Sequence, residues 1–354
     1  MPLPAVRSDS RESRIKPARL VATGMVARAD TLAAATLARF EDGPAKGFRF
    51  IDVSMSDGLT FRVLPDRGFD IGAASVAGLP IAWLSAVGYC APVSEGDQQA
   101  DPDGLGWLAR FTGGLLTTCG PDNIGLPSVD LGIGHGLHGG WTDMRADDVT
   151  IDRSFADDEI ELTVSATMQF RGVDNADLHI KRSIVTRTGT PSVDVIDSIT
   201  NNGPGHEPIP MLYHVNFGAP LWVPGATVSY PPSTTTTPRT PHAATMLSVA
   251  DQAPVASSGA EEYVFERVVA ECESTGVTVT NEQVGLRVRV QWMSETLPTS
   301  HQWVHPAEGT YALGIEPANA GLAGRGVLRR EGTLPMIDSG QTLQFAVRVS
   351  AEFV

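Results

Sequence analysis

Apolar and polar residues alternate along many segments of this chain. The longest run has an apolar side chain at every second position, at Ile160, Leu162, Val164, Ala166, Met168 and Phe170. A period of two is the pattern of a half-buried β-strand, because successive side chains of a strand point to opposite faces. The same alternation recurs at Leu59–Val63, Val193–Val195, Val277–Val279, Leu286–Trp292 and Leu343–Val349. We therefore predict that the chain is mostly β.

The segments between these runs are rich in turn-forming residues. The sequence contains 36 glycines and 25 prolines, and it lacks the regular crossover helices that parallel sheets require. It also shows no self-similar period of about 20–50 residues, which disfavours propellers and solenoids. These features predict an all-β fold in which large antiparallel sheets pack face to face as a sandwich.

Two segments depart from the simple pattern. Residues Ala29–Phe40 are alanine-rich and favour a helix, although Gly43 and a strand-like run at Phe48–Val53 leave a β-strand open. The Pro- and Thr-rich segment Pro231–Pro238 is unsuited to a central strand, because proline cannot donate a ladder hydrogen bond. We expect it to form an exposed loop, in a position to border a cleft.

The length of 354 residues allows either two ordinary domains or one large all-β domain. No change in composition marks a second domain, so we predict a single domain over residues 21–354. Residues 1–20 carry several basic side chains without a following apolar stretch, so they do not resemble a secretory signal and are expected to form a flexible arm. Three widely spaced cysteines argue against a disulfide framework and favour a reducing cytoplasm.

The charge and hydropathy of the chain exclude two kinds of partner. The formal net charge is −15, whereas nucleic acids are bound by basic surfaces. No apolar run approaches the roughly 18–20 residues that cross a bilayer. We therefore expect a soluble cytoplasmic protein that binds neither nucleic acid nor membrane, and these features allow a homodimer.

Polar residues flanked by glycine are concentrated in four segments, a pattern that strand packing alone does not require. The segments are Leu64–Asp70, Arg110–Asn123 with its continuation through His135 and His138 to Trp141, Tyr213–Gly218, and Gly314–Asn319. Their imidazole, carboxylate, amide and guanidinium groups suit proton transfer and hydrogen bonding to a polar ligand. The four segments together indicate a functional site.

The motifs Gly-Leu-His138-Gly, His214-x-Asn-Phe and Gly-x-Glu316-Pro occur in an order that resembles the galactose mutarotase-like superfamily, which includes the aldose 1-epimerases. The segments Pro-Asp-Arg67-Gly and Phe-x-Gly-Gly-Leu-Leu-x-Thr-Cys-Gly are similar to an aldose-epimerase-like branch of it. The resemblance implies a large antiparallel β-supersandwich in which Glu316 is the catalytic base, His214 the acid and His138 an assisting histidine. It also makes Arg67 the counterpart of a substrate-binding arginine.

Four further residues are predicted to contact the sugar: Arg110, Asp122, Asn123 and Asn216. Arginine and asparagine suit this task because they offer directional donors to hydroxyl and ring oxygens. The sequence has no clear counterpart to the acidic substrate ligand that the better-known mutarotases carry between the second histidine and the glutamate. Asp122 is expected to replace it, and the identity of the sugar stays open.

Mutarotation explains why a carboxylate and an imidazole would occur together. A base removes the proton of the anomeric hydroxyl while an acid protonates the ring oxygen, and the hemiacetal opens to the free aldehyde. Rotation and reclosure give the other anomer. Each such group contributes about 10²–10⁴ in rate, and the chemistry requires neither a cofactor nor a metal.

Two other classes of function stay open on the sequence. A β-sandwich also suits a carbohydrate-binding module without turnover. A metal-dependent sugar isomerase of cupin-like architecture would use the imidazole and carboxylate groups of His135, His138, His214 and Glu316 as ligands. His135 is otherwise expected to form local hydrogen bonds, and His301, which lies in no matched motif, is expected at the surface or in packing.

Overall fold

The computed structural model describes residues 16–90, 103–156, 158–172, 176–245, 253–268 and 276–354. Its helices are short: α1 Pro17–Ala22, α2 Pro241–Thr245 and α3 Arg325–Glu331. Within the described ranges, no helix is both long and apolar enough to span a membrane.

The chain otherwise consists of strands joined by turns. The first half contains β1 Ala33–Arg39, β2 Arg49–Met55, β3 Leu59–Leu64, β4 Asp70–Val76, β5 Leu79–Pro80, β6 Leu116–Cys119, β7 Ser128–Asp130, β8 Ile133–His135, β9 Asp147–Ala156, β10 Glu159–Arg171 and β11 Asp177–Arg187. The second half contains β12 Ser192–Asn201, β13 Glu207–Pro208, β14 Leu212–Phe217, β15 Thr227–Ser229, β16 Thr235–Pro238, β17 Tyr263–Val268, β18 Gly276–Asn281, β19 Leu286–Trp292, β20 Thr299–Ala307, β21 Thr310–Ala318, β22 Met336–Ile337 and β23 Thr342–Phe353.

These strands form two large antiparallel sheets. The larger sheet has the order β1-β2-β3-β4-β6-β14-β21-β20-β17-β16, with β5 paired to β4, and the smaller has the order β15-β18-β19-β23-β12-β11-β10-β9. Two short ribbons, β7-β8 and β13-β22, complete the pairing. The prediction of an all-β fold with large antiparallel sheets is confirmed, and each alternating segment of the sequence lies in one of the strands.

Of the twenty residues expected to form a flexible arm, the structure describes residues 16–20. Residues 1–15 lie outside the described part of the chain. Helix α1 begins at Pro17 and packs Ala18 and Val21 against the hydrophobic core. Lys16 Nζ also lies 2.6 Å from Asp158 Oδ2. The packing of α1 and the Lys16–Asp158 pair therefore hold this segment against the sheet.

The helical interpretation of Ala29–Phe40 is wrong, and the strand that the sequence left open is right. A single 3₁₀ turn at Ala29–Thr31 is followed by β1, which pairs in full register with β2. Ladder hydrogen bonds to β2 outweigh the modest helix preference of alanine. The Pro231–Pro238 segment is exposed as predicted, but its second half forms β16 at the edge of the larger sheet and not a loop. An edge strand tolerates proline because one side of it faces solvent.

The hydrophobic core lies between the two sheets and contains a buried ionic network. Arg182 on β11 lies 2.6 Å from Asp197 Oδ2 of its own sheet and 2.7 Å from Asp70 Oδ1 of the other sheet. All three side chains are at most 5% exposed. The network therefore joins the sheets, and it leaves the opposite face of the larger sheet available for a site.

Candidate functional site

Two of the predicted residues meet at the centre of the larger sheet. Successive side chains of a strand point to opposite faces, so Tyr213 and Ile315 lie in the core. Their neighbours His214 of β14 and Glu316 of β21 therefore lie on the opposite face of the sheet. His214 Nε2 lies 3.2 Å from Glu316 Oε1, and the two side chains are 5% and 3% exposed. The sheet thus forms a buried imidazole–carboxyl pair.

Gly314 makes room for this pair. It precedes Glu316 by two residues on β21 and so lies on the same face of the sheet, where it has no side chain to fill the space beside Glu316. A Cβ atom there would lie 2.7 Å from Glu316 Oε1 and 2.8 Å from His214 Cε1. The glycine of the Gly-x-Glu motif is therefore required by close packing around the two side chains.

His138 approaches the pair from a loop. Its ring centroid is 6.1 Å from that of His214, and its backbone has a left-handed φ of 59°. The amide of Gly125 donates to His138 Nδ1 over 3.4 Å. A neutral His138 consequently carries its proton on Nε2. Left-handed backbone is costly for a histidine, so the surrounding loops hold this residue in place.

Burial sets the protonation of the three groups. It lowers the pKa of His214 to about 3, with a further contribution from His138, and it lowers the pKa of His138 to about 4, helped by His301. Burial also raises the pKa of Glu316 to about 8, with Glu262 adding to the effect. At neutral pH the pair is therefore a neutral imidazole beside a protonated carboxyl group.

Aromatic side chains enclose the pair. The ring of Phe111 lies 5.4 Å from that of His214, and the ring of Trp303 lies 5.5 Å from it. Trp107 stacks on Phe111 at 4.3 Å and contacts His138 at 4.6 Å. Such an enclosure excludes water, which strengthens electrostatic interactions inside the site.

His301 is a site residue that the sequence analysis missed. It lies directly opposite Glu316 in the β20–β21 register, is 1% exposed, and its Nε2 lies 3.1 Å from the carbonyl oxygen of Ala320. Of the two expected positions, at the surface or in packing, the structure shows the second. The signal that would have found it is the two-residue turn Glu308-Gly309, which fixes the hairpin register.

Arg67 lies in the turn between β3 and β4, where its side chain supports a neighbouring segment. Its guanidinium is 5% exposed, and Nη2 donates to the carbonyl oxygen of Arg110 over 2.7 Å. It does not bind its acidic neighbours, since Asp66 pairs with Arg49 and Asp70 pairs with the buried network. Arg67 therefore holds the segment that carries Phe111 over His214.

Asn123 and Asn216 are both completely buried, and both donors of each amide are used. Asn123 Nδ2 donates to the carbonyls of Leu126 and Gly136, and its Oδ1 accepts from the amide of Arg325. Asn216 Nδ2 donates to the carbonyls of Gly114 and His214. These donors stabilise loops and strand ends, while Asn216 Oδ1 has no hydrogen-bond partner among the described residues. Substrate contact by either residue stays a prediction.

Arg110 and Asp122 line a cavity of about 510 Å³ beside the pair. Leu137 and Gly139, the neighbours of His138, belong to the same wall, and so does Trp107. His214 and Glu316 do not line it. The rings of Trp107 and His138 therefore stand between the cavity and the buried pair.

The histidines do not form a metal site. Within the described ranges there is no group of three His, Cys, Asp or Glu residues placed to hold a metal ion. His135 lines the cavity, whereas His138 faces His214. The His135-x-x-His138 spacing therefore directs the two rings to different places, and the sheets of 11 and 8 strands are larger than the eight-stranded jelly roll of a cupin.

Comparison with known proteins places this geometry in a family. Residues 45–351 match the family described as "Domain of unknown function (DUF4432)". No curated protein matches the chain.

Several solved structures share the fold. A "putative aldose 1-epimerase" from Klebsiella pneumoniae subsp. pneumoniae MGH 78578 has a TM-score of 0.81 at 23% identity, over 90% of this chain and 84% of that one. A galactose mutarotase-like protein from Clostridium acetobutylicum has a TM-score of 0.56 at 13% identity, over 92% and 100%. The GalM/aldose epimerase homologue from C. elegans has a TM-score of 0.53 at 12% identity, over 87% and 100%. The chain therefore belongs to the DUF4432 family and has the all-β galactose mutarotase-like fold.

Proposed function

We propose that the protein is a sugar mutarotase of the aldose 1-epimerase type, acting on a free aldose. The observation that carries the proposal is the 3.2 Å contact between His214 Nε2 and Glu316 Oε1 in a water-excluding aromatic enclosure. Mutarotation requires one group that accepts a proton and one that donates a proton at neighbouring oxygens. The pair supplies both.

The proton count of the pair suits a reversible reaction. The resting pair holds one titratable proton, on Glu316, because burial raises the pKa of this carboxyl and lowers the pKa of His214. Transfer of that proton to His214 gives a carboxylate and an imidazolium. Glu316 then accepts the anomeric hydroxyl proton while His214 protonates the ring oxygen, and the C1–O5 bond breaks. The pair is left with its original single proton on Glu316.

Reclosure follows the same steps in reverse after rotation about the C1–C2 bond. His214 then takes back the proton of the O5 hydroxyl, while Glu316 returns its proton to the aldehyde oxygen. In this proposal His138 Nε2–H is the group that donates a hydrogen bond to the sugar, since Nδ1 accepts from the Gly125 amide. No net proton is gained or lost in the complete cycle.

Polarimetry on freshly dissolved aldoses tests the proposal. We expect Glu316→Gln and His214→Asn each to lower the enzymatic rate by about 10²–10⁴. The double variant should lose much less than the product of the two effects, because the two groups act as one unit. Glu308→Gln is the matched control: it makes the same change at an exposed turn of the same hairpin. Near-normal exchange by Glu316→Gln would reject the assigned base.

A carbohydrate-binding module without turnover is the second candidate. It is favoured by one observation, that the cavity is separate from the buried pair. In that case sugars would bind, but wild-type protein would not accelerate anomer exchange above the buffer rate. The polarimetry of the wild type alone distinguishes the two functions.

A further inference from the structure

Two neighbouring side chains at the pair each have a buried polar atom without a hydrogen-bond partner among the described residues. These atoms are His214 Nδ1 and Asn216 Oδ1. The two residues are two apart on β14, so both side chains lie on the face of the larger sheet that holds the pair. Buried polar atoms in native proteins nearly always have a partner, so these two require an explanation.

The Asn216 amide is fixed with its oxygen free. Nδ2 donates to the carbonyl oxygens of Gly114 and of His214, over 2.9 Å in both cases. An amide nitrogen has two protons, so both are used, and exchanging Nδ2 with Oδ1 would turn an acceptor toward two other acceptors. Oδ1 is therefore the end of the amide that is left to accept a hydrogen bond. The side chain cannot turn away without breaking both donor bonds.

The His214 ring is oriented with one nitrogen toward each neighbour. Its Nε2 lies 3.2 Å from Glu316 Oε1. Its Cε1–Nδ1 edge lies over Gly314, where a Cβ atom would be 2.8 Å from Cε1 and 3.3 Å from Nδ1. Gly314 is the register partner of Asn216 on the adjacent strand, and directly paired residues are close neighbours on one face of a sheet. Nδ1 is therefore the ring nitrogen on the side of Asn216.

The amide also acts on the protonation of His214. Burial lowers the pKa of His214 most strongly and His138 lowers it further, whereas the Asn216 side chain raises it. A group that raises the pKa of an imidazole stabilises the protonated ring, which carries an N–H on both nitrogens. This is the effect expected of an acceptor oxygen that faces Nδ1–H.

We propose that Asn216 is a positioning residue: its Oδ1 accepts from His214 Nδ1–H and thereby keeps Nε2 as the nitrogen that takes the proton of Glu316. The other neutral tautomer carries its proton on Nε2, which then cannot accept a second one. An orienting acceptor on the far ring nitrogen holds other catalytic imidazoles in one tautomer in the same way.

This role assigns the Asn216 oxygen to the imidazole and not to the sugar. The two atoms lack full hydrogen-bond alignment, which catalytic groups often reach only with substrate bound. The tautomer of His214 does not depend on the proposed function, and only the effect of Asn216 on rate rests on it. The inference can therefore be tested with and without an assay of activity.

NMR reads the tautomer directly. In protein labelled with ¹⁵N-histidine, two-bond proton–nitrogen correlations show which ring nitrogen carries the proton, and the signals of His214 are those lost in His214→Asn. We expect a neutral His214 at neutral pH, because burial lowers its pKa to about 3, with the proton on Nδ1. A proton on Nε2 in the wild-type protein would overturn the inference, whatever the activity.

Two substitutions separate the acceptor of Asn216 from its donors. Asn216→Ala removes both, so the His214 proton should distribute between the ring nitrogens. We expect kcat to fall by about tenfold with KM nearly unchanged, which is within the value of one hydrogen bond. Asn216→Asp loses the two donor bonds but keeps an acceptor oxygen, so His214 should keep its proton on Nδ1.

Asn201→Ala is the matched control. It also removes a completely buried amide whose Nδ2 donates to two carbonyls, those of Gly205 and Ile337, but it lies on β12 of the other sheet. It should lower the stability of the protein without changing the tautomer of His214 or kcat.

The outcomes separate the inference from the proposed function. A tautomer that Asn216→Ala leaves unchanged would overturn the inference, and so would equal losses of rate in Asn216→Ala and Asn216→Asp with the proton unmoved, since a purely structural amide acts through its donors. If Asn216→Ala does not fold, the spectra of the wild type and of Asn216→Asp decide. An Nδ1 proton that Asn216→Ala redistributes, in a protein that converts no aldose, would support the inference and reject the proposed function.

Discussion

At the scale of single residues, the site depends on a glycine, whose lack of a side chain makes room for the pair. Gly314 leaves the space in which Glu316 and His214 meet, and a Cβ atom at this position would come within 2.8 Å of both. Real Cβ atoms do not approach other atoms so closely, so one of the two side chains must move. Proton transfer between the two groups requires a short contact, so it is sensitive to such displacements.

We expect Gly314→Ala to lower the mutarotation rate by at least about tenfold, since a misplacement of about 1 Å can cost up to about 10². The effect on the free energy of unfolding should be small, because a gain of about 0.5–1 kcal/mol in backbone entropy offsets part of the clash. Polarimetry and urea unfolding measure the two quantities. Gly205→Ala, with no atom within 4 Å of the added Cβ, is the control. A fully active Gly314→Ala protein would contradict the packing argument.

The buried carboxyl also predicts how stability depends on pH. The pKa of Glu316 is raised from its ordinary value of 4.5 to about 8, so the native protein holds a proton that the unfolded chain releases. Stability from this group is therefore present at low pH and is lost as the pH rises through this window. His214 has a lowered pKa and acts oppositely, but only between about 3 and its ordinary 6.5. Above pH 6.5, the change in stability with pH therefore reports the ionisation of Glu316 without a contribution from His214.

Between pH 6.5 and 8, wild-type protein should lose about 1–2 kcal/mol of unfolding free energy relative to Glu316→Gln, since each pH unit of differential protonation is worth about 1.4 kcal/mol. Urea unfolding at the two pH values gives the difference. The side-chain amide of the Glu316→Gln variant does not ionise, so the unfolding free energy of that variant should change less over this range. Parallel pH profiles for the two proteins would show that Glu316 is ionised in the native state.

At the scale of elements, alternation predicted strands well because the sheets are half-buried. The segment Ile160–Phe170 lies in β10, where buried and partly exposed residues alternate along the strand. Ala29–Phe40 shows the limit, since alanine composition is a weak preference that pairing with β2 overrides. The strands that carry His214 and Glu316 are an intermediate case: their buried residues occupy both faces, so periodicity alone does not show which side holds the site.

Part of the candidate site was predictable and part required the fold. His138, His214 and Glu316 were found from motifs, and they do gather on one face of the sheet. The enclosing ring of Phe111 begins one of the motifs, whereas that of Trp107 comes from a segment that no local pattern assigns to the site. The amides of Asn123 and Asn216 were assigned to the substrate because their donors suit sugars. Only the coordinates show that these donors already bind backbone carbonyls.

Edge strand β16 gives a prediction at this scale. All four of its residues are exposed, and it pairs on one side only, with β17. Replacing Thr235, Thr236 and Thr237 by serine should therefore cost less than about 1 kcal/mol, since β-propensities span about 1 kcal/mol and packing adds little here. Unfolding should stay cooperative, as measured by circular dichroism. A loss of several kcal/mol, or a broadened transition, would show that this edge supports the core.

At the scale of the whole molecule, the two sheets are held by apolar packing and by one ionic network behind the site. Tyr213 Oη donates to Asp197 Oδ2 over 2.6 Å, and Thr118 Oγ1 donates to Asp70 Oδ1 over 2.7 Å. Tyr213 directly precedes His214 on β14, and Thr118 on β6 lies opposite Tyr213 in the sheet. Arg182 therefore bonds to the carboxylates that anchor the strand carrying the proposed acid.

Arg182→Met is expected to destabilise the protein by about 3–5 kcal/mol, because it leaves two buried carboxylates without their cation. Arg187→Met is the matched control on the same strand. That side chain is 44% exposed, and it pairs with Glu161 and, over 3.5 Å, with Asp194, which also has Arg348 as a partner. No carboxylate is left buried without a cation, and an exposed pair is worth about 0–1 kcal/mol. Urea unfolding at neutral pH measures both.

The Arg182→Met variant also separates the positioning of His214 from the stability of the fold. Under conditions where Arg182→Met is still folded, the anchors of β14 are loosened, so the His214–Glu316 contact should be less well held. We expect a lower kcat with a smaller change in KM, because the cavity beside His138 shares no residue with the network. Adding Asp70→Asn and Asp197→Asn removes the uncompensated charges and should recover much of the stability but not the rate, since the anchors stay altered. Recovery of both together would mean that the network acts on activity only through folding.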